Sequence, residues 1–344
     1  QGADIGDLAY RQTIRAKAFD AVRGLLPAAS LSNVGIYGTG QAYEALLLRM
    51  RAHPLPEARS YADLMLEELR KVIPSFLRRV DVPERGLAWS AYLEENHLAM
   101  KRFVTDLERG SEVEVVSEVE LIDWDPEGER KMLAAMLYPY SRASERQLVA
   151  LVDQMSADEK LEVVKRYVGE RGNRRHRPGR ALERLDYRFD ILGDYGGFRD
   201  MQRHRLLTIE WQSLSPDHGY EVPEAIQAAG LTDRYVGVME RSKALYELLE
   251  PDYPEQAAYA VSMAFRVRYV MQFNAREALH MLELRSQPQG HPNYRRIAQE
   301  MYHQIANRAG HEIVAQMFKF IDLSAGEDGR LEAEKVLEAK RFNS

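Results

Sequence analysis

Three consecutive residues, Arg203-His204-Arg205, carry cationic or hydrogen-bonding side chains. Guanidinium groups bind phosphate and carboxylate oxygens in a bidentate manner. Successive residues of a helix are rotated by about 100°, so these side chains cannot share one helical face. They must fan out toward several groups, and this favours a large polyanionic ligand.

An arginine-rich segment lies a short distance upstream and contains no lysine. Its cationic members are Arg171, Arg174, Arg175, His176, Arg177, Arg180, Arg184 and Arg188. An all-arginine cluster suits phosphate or carboxylate recognition. The alternative is a solvated surface whose arginines pair with nearby Asp and Glu residues. The neighbouring Arg-His-Arg run favours anion binding.

Asn274, Arg276 and Arg285 lie on one predicted helix. Nine residues separate the two arginines, about two and a half turns, so they point to opposite sides of a straight helix. They would therefore serve two different sites or subunits. The alternative is that both are surface arginines that pair with Glu277 and Glu283.

Apolar periodicity predicts a mainly helical α+β protein. Helices are expected at 10–26, 42–52, 57–73, 126–138, 144–155, 157–169, 195–207, 223–228, 232–250, 254–285 and 293–322. Strands are expected at 113–124 and 185–192, where Val, Ile and Leu alternate with polar residues.

The helices at 57–73 and 293–322 share a sequence pattern. At one fixed offset the matches are Arg59 with Arg295, Ala62 with Ala298, Met65 with Met301, and Leu69 with Ile305. Apolar periodicity alone can produce such matches, but the shared order of helix, proline break and helix favours duplication. We therefore predict a helical partial first copy at 1–109, a second copy at 110–322 and a charged C-terminal tail at 323–344.

Composition limits the class of protein. The 344 residues are 45% apolar, include no cysteine and carry a net charge of -6. Disulfides and thiolate metal sites are excluded, and no metal site is predicted. No apolar run has the length of a membrane span, so we expect a cytoplasmic protein without membrane contact. The chain starts without Met inside a helical pattern, which predicts that it is part of a longer polypeptide.

The Arg203-His204-Arg205 run, seven further residues and then Ser213 have the spacing of the signature of the flavin-dependent thymidylate synthase family. The second half of the chain resembles that family from Val113 to about His311, and residues 18–73 resemble part of a diverged copy. The resemblance implies a homotetrameric α/β fold with FAD at subunit junctions. It also implies reductive methylation of dUMP with methylenetetrahydrofolate and NADPH.

The resemblance assigns roles to individual residues. Ser213 and Arg285 would act at the substrate, Ser213 near the dUMP phosphate and Arg285 near the uracil. The cofactor set would be Arg203, His204, Arg205, Asn274, Arg276 and His176. Arg23, Arg180 and Arg199 are the arginines available to bind the substrate where the family's own residues are lost.

Several family positions have changed. Asp200 replaces a Gln, Trp211 replaces the signature Glu, and Ser215 replaces an Arg. Asp200 and Ser215 together make the local charge more negative by two, so we expect weak binding of the dUMP dianion.

A further family arginine, which precedes a Leu-Pro pair, aligns with Tyr259. The same element survives in the first copy as Arg23 with Leu26-Pro27. Each copy thus retains an element of the family pattern that the other copy has lost.

Two functions from different classes follow. The first is a flavin-dependent thymidylate synthase with composite sites, in which a homodimer of tandem copies acts as a pseudo-tetramer. The second is a diverged homologue that binds flavin or a nucleotide and has a structural or regulatory role. An RNA-binding module is disfavoured, because the chain is acidic and no aromatic residues are interleaved with the arginines.

Overall fold

The computed structural model describes residues 7–110 and 117–324, which form two compact units. The larger unit contains the described residues of 1–28, 116–246 and 258–344, and the smaller unit contains those of 29–115 and 247–257. In the described part of the chain, none of the helices combines the length and apolar character that a bilayer crossing requires. The predicted domain limits stay a prediction.

Helices make up most of the described residues, in agreement with the predicted fold class. In chain order they are α1 (Asp7–Arg23), α2 (Gly40–Arg51), α3 (Pro56–Arg70), α4 (Pro74–Leu77), α5 (Ala88–Leu107), α6 (Gly128–Leu137), α7 (Glu145–Gln154), α8 (Ala157–Val168), α9 (Tyr195–Met201), α10 (Glu224–Ala228), α11 (Thr232–Leu249), α12 (Pro254–Ala257), α13 (Ala275–Arg285), α14 (Pro292–Asn307) and α15 (Glu312–Ala315).

The larger unit is built on an antiparallel sheet of four strands in the order β1-β2-β4-β3. The strands are β1 (Val119–Trp124), β2 (Asp186–Asp194), β3 (Thr208–Trp211) and β4 (Arg266–Asn274). Alternate residues of the two central strands are buried, as a period of two requires. Phe189 of β2 and Phe273 of β4 stack with ring centroids 5.8 Å apart.

Helix α14 covers this sheet with an apolar face. Ile297, Met301 and Ile305 recur every fourth residue and are buried in the same core as β2 and β4. The sequence also marks helix starts: Ser144 and Ser156 each form a reciprocal capping box at the beginning of α7 and α8. Local sequence thus fixes where these helices begin.

The smaller unit has its own core. Its buried apolar residues come from α2, α3, α4 and the turn after α4, and they are Leu47, Ala62, Leu66, Leu77 and Val80. Helix α5 is attached to α2 through Ser90, whose hydroxyl donates to the carbonyl oxygen of Leu48 at 3.0 Å. The core of this unit therefore depends on a small number of side chains.

The predicted helix at 254–285 is wrong as one element. The helical parts there are α12, a short 3₁₀ helix at Ala258–Ala260 and α13, and residues 266–274 form β4 before α13. The residues of β4 alternate between buried and partly exposed and include Val, Tyr and Phe, which is the pattern of a strand. Because helical patterns lie on both sides of this short alternating segment, the sequence was read as one continuous helix.

Three other boundaries differ from prediction. The helix expected at 195–207 ends at Met201 and is followed by the edge strand β3. The helix expected at 293–322 ends at Asn307, and Gly310 follows with φ of 68°, a conformation that glycine adopts without strain. The strand expected at 113–124 is observed at 119–124, and its first four residues lie outside the described residues.

The segment after α1 pairs with the segment before β4. The amide of Ala28 donates to Val261, that of Met263 to Leu26, and that of Ala264 to Gly24, at 2.8–2.9 Å. These are the two segments that align as equivalents in the predicted duplication. Two-fold related copies would pair equivalent segments in an antiparallel sense, but the duplication itself stays a prediction.

Candidate functional site

A chain of hydrogen bonds joins the predicted signature residue His204 to helix α13. The imidazole Nδ1 lies 2.9 Å from Oε1 of Glu277, and Arg285 Nε donates to His204 Nε2 at 3.0 Å. Arg285 Nη2 in turn donates to the carbonyl oxygen of Asp200 at 2.5 Å. His204 and Glu277 are both nearly inaccessible to solvent.

This geometry fixes the tautomer of His204. Because Nε2 accepts a hydrogen bond from Arg285, it carries no proton. The proton of the neutral ring is therefore on Nδ1 and is donated to the Glu277 carboxylate. Both ring nitrogens of His204 are thus engaged by groups of the protein itself.

Two strand-to-helix turns bring these residues together. Strand β2 leads into α9, which starts at the capping residue Asp194 and ends just before the Arg-His-Arg run. Strand β4 leads into α13, where Asn274 caps the helix by accepting from the amide of Glu277 at 3.0 Å. Since β2 and β4 are neighbours in the sheet, the two helices they feed place His204 against Glu277.

An arginine-lined cavity of about 550 Å³ adjoins the His204–Glu277 pair. Its lining is Arg177, Arg180, Glu183, Arg205, Leu206, Leu207, Asn274, Arg276, Glu277 and His280. Four arginines face two glutamates, a net charge of +2 when His280 is neutral. Arg276 is fixed by donation to the Pro178 carbonyl oxygen at 2.9 Å and by contact with Glu183 at 3.1 Å.

His204, Glu277 and His280 form the one group among the described residues with the composition and spacing of a metal site. Their ligand atoms lie within 4.8 Å of one another. Both nitrogens of His204 are already engaged, and the arginines of the cavity make the local potential positive. The arrangement therefore suits an anion better than a metal cation.

The pKa of His280 lies below its ordinary value of 6.5, chiefly because burial disfavours the charged ring. Attraction to Glu277 is the next largest effect and opposes this, and repulsion by Arg177 and Arg174 lowers the pKa by smaller amounts. The folded chain then binds fewer protons than the unfolded chain near pH 6.5. Stability contributed by His280 is present above that pH and falls as the pH drops through this region. We expect urea denaturation of the H280Q variant to show a smaller loss of stability between pH 7.5 and 5. Equal losses in both proteins would contradict this assignment.

Four predicted site residues meet at the cavity: Arg180, Arg205, Asn274 and Arg276 line it, and His204 lies behind Glu277. Arg203 does not line it. Its side chain is 70% exposed and lies 3.5 Å from Asp200. The functional role of each residue stays a prediction.

The other predicted site residues lie elsewhere. His176 accepts from the amide of Gly172 at 3.2 Å within its own loop. Arg199 contacts Met263 Sδ at 3.4 Å, Arg23 lies 3.8 Å from Asp20, and Ser213 is exposed after β3. None of these four is among the residues that line the cavity.

Glu277 and His280 are among the lining residues that were not predicted as site residues from the sequence. They are three residues apart on α13, a spacing that puts both side chains on one face of a helix. The spacing predicts that the two side chains share a helix face. Only the fold shows that this face lies beside His204 and the cavity.

The changed family positions have local partners in the fold. Asp200 lies 3.7 Å from Arg285, so the arginine expected to face a uracil is engaged inside the protein. Trp211 is half exposed and packs on Phe198 with ring centroids 5.6 Å apart. Ser215 donates to Asp217 at 2.8 Å in a surface turn.

Several relatives of the chain are known from sequence. UPF0159 proteins of Chlamydia pneumoniae, Chlamydia muridarum and Thermoplasma acidophilum are 37%, 34% and 31% identical over 95%, 96% and 97% of this chain. The chain spans 61%, 62% and 65% of the lengths of these relatives.

Two solved structures are also similar. A flavin-dependent thymidylate synthase, ThyX, from Helicobacter pylori, complexed with FAD and dUMP, is 17% identical with a TM-score of 0.44, covering 60% of this chain and 100% of its own. The UMP/dUMP methylase PolB from Streptomyces cacaoi, bound with 5-Br dUMP, is 15% identical with a TM-score of 0.48, covering 61% and 98%.

A family model described as thymidylate synthase complementing protein matches residues 120–309, which include both the Arg-His-Arg run and α13. This range is more than half of the 344 residues. The chain therefore belongs to the family of thymidylate synthase complementing proteins, and its resemblance to flavin-dependent thymidylate synthases is confirmed.

Proposed function

We propose that this chain binds a flavin nucleotide, and that the arginine-lined cavity holds its phosphate groups. The observation that carries the proposal is the convergence of four arginines on one cavity beside the His204–Glu277 pair. FAD carries two adjacent phosphates, and guanidinium groups bind phosphate oxygens in a bidentate manner. The apolar residues Leu206 and Leu207 offer a surface for an adjoining ring.

The arginines of the cavity differ in how they are held. Arg276 is only about one quarter exposed and is oriented by Pro178 and Glu183 before any ligand arrives. Arg205 is exposed and has no ion pair among the residues that the structure describes, so its guanidinium has no carboxylate to release. One fixed and one adaptable arginine together suit a bound anion.

A second candidate function is thymidylate synthesis from dUMP, with FAD, NADPH and methylenetetrahydrofolate. Membership of the family and the retained spacing from Arg203 to Ser213 support it. The engagement of Arg285 by Asp200 argues against it, because a uracil would have to compete with an internal hydrogen bond. We therefore place the diverged, flavin-binding homologue first.

The oligomer belongs to the same proposal. Antiparallel pairing of residues 24–28 with 261–264 supports a chain that contains two related copies. A homodimer would then provide the four copies that the family resemblance implies. Arg23, which precedes the paired segment, would be the substrate-binding arginine contributed by the first copy.

The R205A and R276A variants are expected to bind FAD about 1.5–3 kcal/mol more weakly than the unaltered chain, the scale of a hydrogen bond to a charged group. Quenching of flavin fluorescence during titration measures this. R142A removes the same charge from an exposed position outside the cavity and is the matched control. Unchanged affinity in both R205A and R276A would remove the cavity from the flavin site.

Two measurements separate the candidate functions. A visible spectrum of the purified chain tests for bound flavin. An assay for dTMP formed from dUMP, with methylenetetrahydrofolate and NADPH supplied, tests for synthesis. Flavin without dTMP supports the diverged homologue, and flavin with dTMP supports the enzyme. Absence of flavin after incubation with FAD would contradict both.

A further inference from the structure

The buried carboxylate of Glu283 on α13 joins two segments that are far apart in sequence. Its Oε1 accepts from Arg171 Nη1 at 2.8 Å and from the amide of Phe320 at 3.2 Å, and its Oε2 accepts from Arg171 Nη2 at 2.6 Å. Arg171 begins residues 171–180, here called the arginine loop. Phe320 belongs to residues 317–324, here called the C-terminal strap. Both segments therefore depend on one side chain.

The C-terminal strap follows α15 and is held in large part by polar side chains. Gln287 donates to the carbonyl oxygen of Phe320 at 2.8 Å, and Gln299 of α14 donates to that of Asp322 at 2.9 Å. Residues 319–324 are all half-buried or exposed. A partly exposed segment that is held by a few hydrogen bonds opens more readily than the apolar core, so the strap can detach without unfolding the unit.

The strap keeps water away from the Arg171–Glu283 pair. The ring of Phe320 lies 5.2 Å from the guanidinium carbon of Arg171, and the carbonyl oxygen of Met317 accepts from Arg171 at 3.1 Å. Behind this cover the two charged side chains are only 4% and 0% exposed. Water weakens the attraction between opposite charges strongly. Release of the strap would therefore hydrate the pair and loosen its hold on the arginine loop.

The arginine loop forms part of the arginine-lined cavity. Arg171 Nε donates to the carbonyl oxygen of His176 at 2.9 Å, which fixes the first half of the loop. In the second half, the carbonyl oxygen of Pro178 accepts from Arg276 at 2.9 Å, and two arginines of the loop line the cavity. The position of these cavity groups thus depends on the anchor at Arg171.

We propose that the C-terminal strap regulates anion binding in the arginine-lined cavity through Glu283. With the strap in place, the buried ion pair holds the arginine loop in the form that binds phosphate groups. With the strap released, the pair is hydrated and the arginines of the loop are no longer held together. Coupling between two sites is reciprocal, so a ligand that holds the loop stabilises the strap by the same factor. The identity of the ligand rests on the proposed flavin-binding function, whereas the link between strap and loop requires no ligand.

Hydrogen exchange followed by mass spectrometry tests this link in the chain without ligand. F320A removes the ring that covers the ion pair, and Q287A/Q299A removes two donors to strap carbonyl oxygens. Both variants should speed exchange in residues 171–180 by at least about fivefold and leave the core strand β2 unchanged. Q227A removes a glutamine-to-carbonyl hydrogen bond of 2.9 Å elsewhere in the same unit and is the matched control. Unchanged exchange of the loop in both strap variants would overturn the proposal.

Titration with FAD tests the effect on the cavity. F320A and Q287A/Q299A, which lie outside the cavity lining, should each bind FAD at least about fivefold more weakly than the unaltered chain. Saturating FAD should slow exchange of the strap in the unaltered chain by a similar factor. Full FAD affinity in both variants would overturn the proposal. If the unaltered chain binds no FAD but the strap variants still speed exchange of the loop, the flavin site is contradicted and the link between strap and loop is supported.

The double variant R171M/E283L separates positioning from stability. Its apolar side chains fill the buried site and should preserve most of the stability of the fold, as urea denaturation would measure. Its FAD affinity should nevertheless stay at least about fivefold below that of the unaltered chain, because the loop has lost the anchor that orients its arginines. Recovery of FAD affinity together with stability would show that the pair acts only in folding, and would overturn the proposal.

Discussion

With FAD present, the D200Q/S215R variant is expected to bind dUMP at least about a hundredfold more tightly than the unaltered chain, as calorimetric titration would measure. Asp200 lies within 4 Å of both Arg203 and Arg285 and offsets their charge. One unit charge at about 4 Å is worth roughly 4 kcal/mol at an effective dielectric constant of 20. Removing it, and adding an arginine at 215, should favour a phosphate dianion.

The matched control is D158N, which removes one negative charge from the exposed first turn of α8. It should leave dUMP affinity unchanged. Micromolar affinity of the unaltered chain for dUMP would contradict the prediction, since it would mean that other arginines had compensated for the changed positions. It would also favour thymidylate synthesis over the diverged homologue.

Replacing Glu283 by Ala is expected to lower the free energy of unfolding by about 3–5 kcal/mol, because it leaves a buried guanidinium without its counter-ion. Arg171 and Glu283 are almost inaccessible to solvent and form two hydrogen bonds of 2.8 and 2.6 Å. Arg171 also donates to the carbonyl oxygens of His176 and Met317. Urea denaturation followed by circular dichroism measures the loss.

Two further variants are compared with E283A in the same measurement. E162A breaks an exposed Arg–Glu pair on α8 and should cost less than about 1 kcal/mol. The double variant R171M/E283L replaces both buried charges with apolar side chains and should recover part of the stability lost in E283A. A loss in E283A no larger than that in E162A would show that the buried pair contributes little.

The Arg171–Glu283 pair also bears on the cavity. It anchors the loop that precedes Arg177 and Arg180 to α13. In sequence, the arginine-rich segment favours one anion-binding cluster. In the fold, the arginines of this segment lie at three different places. Arg171 holds the loop in the core, and Arg177 and Arg180 line the cavity. Arg188 lies 3.3 Å from Asp123 on β1.

Sequence by itself determined the features that depend on spacing within one segment. The interval from Arg203 to Ser213 pointed to the family that the later comparison identified. Serine caps followed three residues later by Gln or Glu marked the starts of α7 and α8, and alternation marked β2. Each of these signals lies within about ten residues, where backbone geometry links side chains directly.

Only the tertiary structure decided which side chains meet. Glu277 and Arg285 reach His204 across 73 and 81 residues, and Arg171 reaches Glu283 across 112. Those meetings require β4, which the helical pattern on either side had concealed, to pair with β2 in one register. Periodicity states that a face is apolar or charged, but it cannot state which distant face lies opposite, because that depends on how the whole core packs.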